Sequence, residues 1–192
     1  MPALILGSSS PYRRALLERL GLSFSCHSPD IDETAQPNED AHTLTLRLAE
    51  AKARALEAIY PEHLIIGSDQ VAVLNGAILG KPGNHEKAFA QLKAASGQCV
   101  SFLTALALLN TQTGRLQSTV VPFSVHFRQL SDATIERYLR KEMPYDCAGS
   151  FKAEGLGVSL FRKTEGEDAT SLIGLPLITL VDMLHQEAIA IP

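Results

Sequence analysis

Apolar positions along this chain recur with two different periods, and the changes between them mark out alternating strands and helices. Ala3–Leu6 is a short apolar run that predicts a strand, Pro11–Leu20 a helix and Ser23–His27 a second strand. Residues 28–40, SPDIDETAQPNED, follow neither period and predict a polar loop with two prolines. From Ala41 to Ile59, Leu44, Leu48, Ala51 and Ala55 fall at helical spacing and define an expected buried stripe. HLIIGSD then predicts a core strand ending at Asp69. After it, VAVLNGAILGKP carries the Asn75-Gly76 signal of a two-residue hairpin.

Further along, residues 85–96 predict a helix, and VSFLTALALLN and LQSTVVPFSVHFRQL two long strands around the turn Thr111–Gly114. In the second of these strands Phe123, Val125 and Phe127 alternate with Ser124, His126 and Arg128, so one face is buried and the other wetter. Pro122 requires a bulge or an edge position there. Ser131 caps a helix running to about Lys141. The glycine-rich CAGSFKAEGLG follows, then the strand VSLFRKT and a last helix from Leu175 to about Glu187. Strands interleaved with helices predict a mixed α/β fold, a twisted sheet flanked by helices. With no repeat and no linker, residues 1–192 read as one domain, with room for a smaller lobe.

Composition narrows the function. With 45% hydrophobic residues, 20% charged residues and a net charge of −4, the chain has no basic block with which to bind nucleic acid by general electrostatics. No apolar run approaches the roughly 20 residues of a membrane span, and the N-terminus lacks a signal-peptide pattern, so a cytoplasmic protein is expected. Cys26, Cys99 and Cys147 are odd in number and widely spaced, which argues against a disulfide framework or a zinc site; they read as small buried apolar residues.

Four places carry candidate chemistry. In LILGSSSPYRRALLERL two arginines enter the first helical turn, where the helix dipole disfavours cations unless an anion sits nearby. Ser10-Pro11 is an ordinary cap and first-turn pair, but capping does not explain Ser8, Ser9, Arg13 and Arg14 together. Small residues opening onto free helix N–H groups, with arginine beside them, also suit phosphate. Asp30, Asp32 and Glu33 form either a solvated acidic loop or a ligand set. Asp69, at the expected strand end, is either a turn cap or a reacting acid, with Lys81 returning on the hairpin to the same edge. Lys52 is either an ordinary surface lysine or one whose stem follows the core edge to a cleft. Taken together, these acids and cations suggest metal-assisted chemistry on a polyphosphate, with magnesium or manganese favoured by thiolate-free carboxylate ligands.

The motifs LGSSSPYRRALLERLG, IIGSDQV…GAILGKP and DCAGSFKAEGLG, with RLAEAKA as a fourth, resemble those of the Maf family of nucleoside triphosphate pyrophosphatases. The resemblance implies hydrolysis between the α and β phosphates with a divalent cation. It also implies a fold like that of inosine triphosphate pyrophosphatases, with a cleft between two lobes, and often a homodimer. Asp69 matches the family's catalytic acid, as base or metal holder, and Glu33 and Lys81 join it as catalytic residues. Glu33 and Asp69 are the implied metal ligands, and Ser8, Arg13 and Lys52 fall on the phosphate site. Arg14 is then left for a surface carboxylate.

Within the family, the branch acting on dTTP and UTP has arginine in place of Tyr12 and glutamine in place of Glu154. Tyr12, Gln70 and Glu154 instead resemble the branch acting on 7-methyl-GTP. N7-methylated guanine is a cation. An aromatic ring can stack on it for about 0.5–2 kcal/mol, and a glutamate can accept from its N1–H and N2–H₂ groups. A nucleotide-sensing regulator of cell division is the alternative from outside enzymology.

Overall fold

The computed structural model describes residues 3–191. Its elements are β1 (Ala3–Gly7), α1 (Pro11–Glu18), β2 (Phe24–Cys26), α2 (Ala41–Arg54), β3 (His63–Leu74), β4 (Ala77–Leu79), α3 (His85–Ala95), β5 (Cys99–Asn110), β6 (Arg115–Phe127), α4 (Asp132–Glu142), β7 (Phe161–Gly166), α5 (Ala169–Ile173) and α6 (Leu177–Gln186). The expected mixed sheet with flanking helices is present, in the strand order β2-β1-β3-β5-β6-β7, with β4 paired to β3. No helix among the described residues is long and apolar enough to cross a membrane.

The chain divides into two compact units. The first comprises Met1–Asp69, Thr104–Val121 and Asp168–Pro192; the second comprises Gln70–Leu103 and Pro122–Glu167. In the first unit β1 lies parallel to both β2 and β3, and the pleat separates two apolar layers. Leu4, Leu6, Leu64, Ile66, Leu106 and Leu108 pack with Leu16 and Leu17 of α1 and Leu180 and Leu184 of α6. Ile5, Ile65, Ala105, Ala107 and Leu109 pack on the other face with Ala49 and Ala53 of α2.

In the second unit Asn75 (φ 50°) and Gly76 (φ 81°) make the expected hairpin, pairing Ala72 with Leu79. Phe102, Phe127, Phe151 and Phe161 form its aromatic centre, Phe151 meeting the other three rings edge-on and Phe127 meeting Phe161 likewise. Phe123, Val125 and Phe127 are buried, as the alternation predicts. Pro122 stands just outside the β6–β7 ladder, which begins at Phe123, so its missing N–H costs no bond there.

Several expectations need correction. The β3 strand does not end at Asp69 but runs on to Leu74; what ends near Asp69 is β1, whose last pair is Gly7 with Gly67. Helix α2 ends at Arg54, followed by short-range turns to Tyr60. Its buried residues are Leu44, Thr45, Leu48, Ala49, Lys52 and Ala53, whereas Ala55 is exposed. Alanine is apolar enough to suit either side of a helix, so the stripe was misplaced by part of a turn and Lys52 lies on the inner face. VSLFRKT does not start a strand: Leu156–Leu160 is a 3-10 helix and β7 begins at Phe161. The short α5, capped by Asp168, precedes the last helix. Cys26 and Cys99 are exposed and Cys147 partly so, because they sit on a short edge strand, at a strand start and in a turn rather than in the core.

Candidate active site

The turn after β1 is organised by its serines. Ser8 is buried; its Oγ accepts from Ser10 N at 3.1 Å and from Arg13 Nη1 at 3.4 Å. Ser10 caps α1 by accepting from Arg13 N, with Pro11 at the first helical position. The two arginines then part company. Arg14 turns outward to Glu18 at 3.0 Å, an exposed pair one helical turn apart, which is the surface carboxylate expected for it. Arg13 turns inward, donating from Nε to the Gly174 carbonyl at 2.8 Å. Ser68 Oγ donates to the same carbonyl at 3.1 Å. Burial pushes the Arg13 guanidinium below its usual value, while the charges of Asp69 and Glu33 pull it back up.

Lys52 is the centre of the site. Its Nζ lies 2.7 Å from Asp69 Oδ1 and 2.8 Å from Glu33 Oε1. The side chains of Lys52 and Asp69 are each only 10% exposed, against 59% for Glu33, so the pair is fixed from the core side and joined from the loop side. Close approach of α2 to β3 makes this possible. A Cβ on Gly67 would lie 2.1 Å from the Ala49 carbonyl oxygen, so only glycine lets α2 lie near enough to deliver Lys52 to Asp69.

The loop carrying Glu33 is tied to the same helix. Arg47 forks onto Glu39, Nε to Oε1 at 2.5 Å and Nη2 to Oε2 at 2.8 Å, and donates to the Thr34 carbonyl at 3.1 Å. These bonds from Arg47 hold the Glu39 carboxyl at about 2.

Ser8, Arg13, Glu33, Lys52 and Asp69 thus fall in the first unit, linked by bonds or by the charge coupling of Arg13 to Asp69 and Glu33. Tyr12 is half-buried on α1. Gln70, Lys81 and Glu154 belong to the second unit: Gln70 is half-buried on β3, Lys81 exposed after β4, and Glu154 exposed in the turn before the 3-10 helix. Two carboxylates beside a lysine are oxygen donors of the kind magnesium takes with a few protein ligands and substrate phosphates. Among the described residues no group of three or more His, Cys, Asp and Glu side chains comes together as a metal site.

Ser68, Arg47 and Gly174 were not among the candidates from sequence. Ser68 and Arg47 lie inside the quoted motifs GSDQ and RLAEAKA, but nothing local marks Gly174, which reaches Arg13 across 161 positions.

A family model described as Maf-like protein matches residues 3–187. Three relatives, each aligned over all 192 residues of this chain and the whole of their own length, bear the name 7-methyl-GTP pyrophosphatase. They come from Pseudomonas savastanoi pv. phaseolicola (68% identical), Pseudomonas fluorescens (66%) and Pseudomonas aeruginosa (64%). Among solved structures, a HAM1 protein from Coxiella burnetii has a TM-score of 0.58 at 18% identity. It aligns over 97% of this chain and 100% of its own, a likeness of fold.

Proposed function

This chain belongs to the Maf family, and from that premise we propose that it hydrolyses 7-methyl-GTP between the α and β phosphates, releasing 7-methyl-GMP and pyrophosphate. The observation that carries the chemistry is Lys52 held between Glu33 and Asp69, with half-buried Arg13 coupled to both carboxylates. Two cations and two carboxylates leave the cluster close to neutral. A triphosphate entering it therefore needs added positive charge, which supports a bound divalent cation. Glu33 and Asp69 would hold magnesium or manganese, which when bound offsets phosphate charge and polarises the scissile anhydride.

The chain's own groups perform the rest. Arg13 is turned inward by the Gly174 carbonyl, which takes its Nε–H, and by Ser8 Oγ, which takes one N–H of Nη1, so the guanidinium N–H groups not used in these bonds can bind phosphate oxygens. Lys52 orients Asp69 and supplies charge to the phosphates. Water adds its oxygen to phosphorus, the α–β anhydride bond breaks, pyrophosphate departs and the water's proton passes to Asp69.

Base selection rests on Tyr12 and Glu154. An aromatic ring can stack on cationic 7-methylguanine, and a carboxylate accepts from its N1–H and N2–H₂ donors while offsetting its charge. The relatives' shared name supports this choice over dTTP or UTP. The test is pyrophosphate release by the purified protein with magnesium or manganese, comparing 7-methyl-GTP, GTP, dTTP, UTP and CTP. We expect the highest kcat/KM for 7-methyl-GTP. A preference for dTTP or UTP overturns the base assignment and keeps the chemistry; no release from any nucleotide overturns both.

A further inference from the structure

Glu154 stands at the tip of a turn whose two ends are fastened to the same helix. On its N-terminal side Lys152 N donates to the Tyr138 hydroxyl at 3.0 Å. On its C-terminal side Leu156 N donates to Glu142 Oε2 at 2.6 Å. Tyr138 and Glu142 are four residues apart on α4, so they project from one face of it and grip the turn two residues before and two residues after Glu154. The turn is closed by its own backbone as well, with Gly155 N and Gly157 N both bonded to the Lys152 carbonyl at 3.3 and 3.1 Å.

The fit around Glu142 is close. A Cβ on Gly155 would lie 2.8 Å from its Oε1. Lys152 also reaches back, its Nζ donating to the Glu142 carbonyl at 3.3 Å. Upstream, Phe151 is buried in the aromatic centre, and Ser150, in the left-handed region at φ 64°, donates from Oγ to Gln91 Oε1 at 2.5 Å. Every residue from Ser150 to Leu156 that is bonded to another element is thus held, while the Glu154 side chain is exposed. Burial pushes the Tyr138 hydroxyl well above the ordinary tyrosine range, and the charge of Glu142 adds to this, so Tyr138 stays neutral as a fixed acceptor.

We propose that Tyr138 and Glu142 are specificity-positioning residues: they set the place of Glu154 and through it the selectivity for a guanine-type base, without touching the nucleotide. The proposal rests on the assignment of Glu154 as the base acceptor. It explains why α4 carries a buried tyrosine whose hydroxyl accepts from Lys152 N and a carboxylate that accepts from Leu156 N. Preorganising an acceptor in this way removes the entropy cost of ordering it on binding.

The experiment is steady-state kinetics on 7-methyl-GTP and UTP for the full chain and for Y138F, E142A, E142Q and E154Q, with thermal melting of each. Y138F and E142A should each lower the kcat/KM ratio of 7-methyl-GTP to UTP by about three- to tenfold, the worth of one hydrogen bond. The loss should appear in KM for 7-methyl-GTP. E142Q, whose amide oxygen can still accept from Leu156 N, should recover most of it. Combined with E154Q, neither Y138F nor E142A should lower the ratio further, because both act through Glu154. Losses that multiply in the E154Q background, or that fall equally on both nucleotides, overturn the proposal. If E154Q changes the ratio and Y138F and E142A do not, the positioning role is wrong while the reading of Glu154 stands. If E154Q leaves the ratio unchanged, that reading falls and the proposal with it.

Discussion

The cluster around Lys52 and the turn around Glu154 are built on opposite plans. At Lys52 charged side chains are one another's partners, so a ligand can enter by exchanging one ion pair for another. Around Glu154 the fastened groups are backbone amides, and the side chain that matters faces outward. The first plan makes the proposed reacting groups sensitive to any change of charge within the cluster. The second makes Glu154, the proposed selecting group, sensitive to the scaffold beneath it, because a turn held at both ends leaves its tip little freedom.

The largest effect should come from the charge of Asp69. D69N keeps an oxygen that can accept from Lys52, so the fold should survive while kcat falls by about 10²–10⁴-fold, the usual worth of a proton acceptor. Pyrophosphate release and thermal melting check both halves, and activity within tenfold of wild type would remove Asp69 from the proton transfer. Next is the packing that delivers Lys52. G67A places a methyl against the Ala49 carbonyl, so α2 must retreat, and urea unfolding should show a loss of about 3 kcal/mol together with reduced turnover. An unchanged midpoint would mean that the approach of α2 is not set by Gly67.

A smaller effect concerns the Glu33 loop. Because Arg47 lowers the Glu39 carboxyl from 4.5 to about 2, the folded state binds fewer protons there than the unfolded state. That contribution is fully present above pH 4.5 and is lost as the pH falls toward 2. The urea midpoint of E39Q should therefore differ from wild type near neutral pH, and the difference should shrink below pH 4.5 and close only at about pH 2 and below. Parallel curves would show that the pair is not linked to stability. The smallest effect is R14A. Its pair with Glu18 is exposed at both ends, so stability should change by no more than about 0.5 kcal/mol, with turnover unaltered. A turnover loss comparable to that of a substitution at Arg13 would erase the distinction between the two arginines.

Much of this was legible in the order of residues. Period and capping chemistry are local: Ser10-Pro11, Asn75-Gly76 and Ser131 name a helix start, a hairpin and another helix start from a few neighbours each, and all three occur. The quoted motifs likewise brought Ser8, Arg13, Lys52 and Asp69 forward, and the acidic loop brought Glu33, before any geometry was known. What went astray was the rotation of a helix whose outer face is also alanine, the extent of β3, and the burial of three cysteines. Each depends on a neighbour distant in sequence. A strand stops where its partners stop, and an alanine faces inward only if something lies close enough to need a small residue.

By itself, then, the sequence determined the element types, the turn chemistry and the set of ionisable groups available for reaction, because backbone propensity and functional-group identity belong to single residues and their immediate neighbours. Only the tertiary structure decided that Lys52 lies between two acids, that Arg13 is turned inward by the carbonyl of Gly174, and that α4 grips the turn of Glu154 on both sides. Those are relations among segments up to 161 residues apart, and their geometry is set by close packing, which has no local signature.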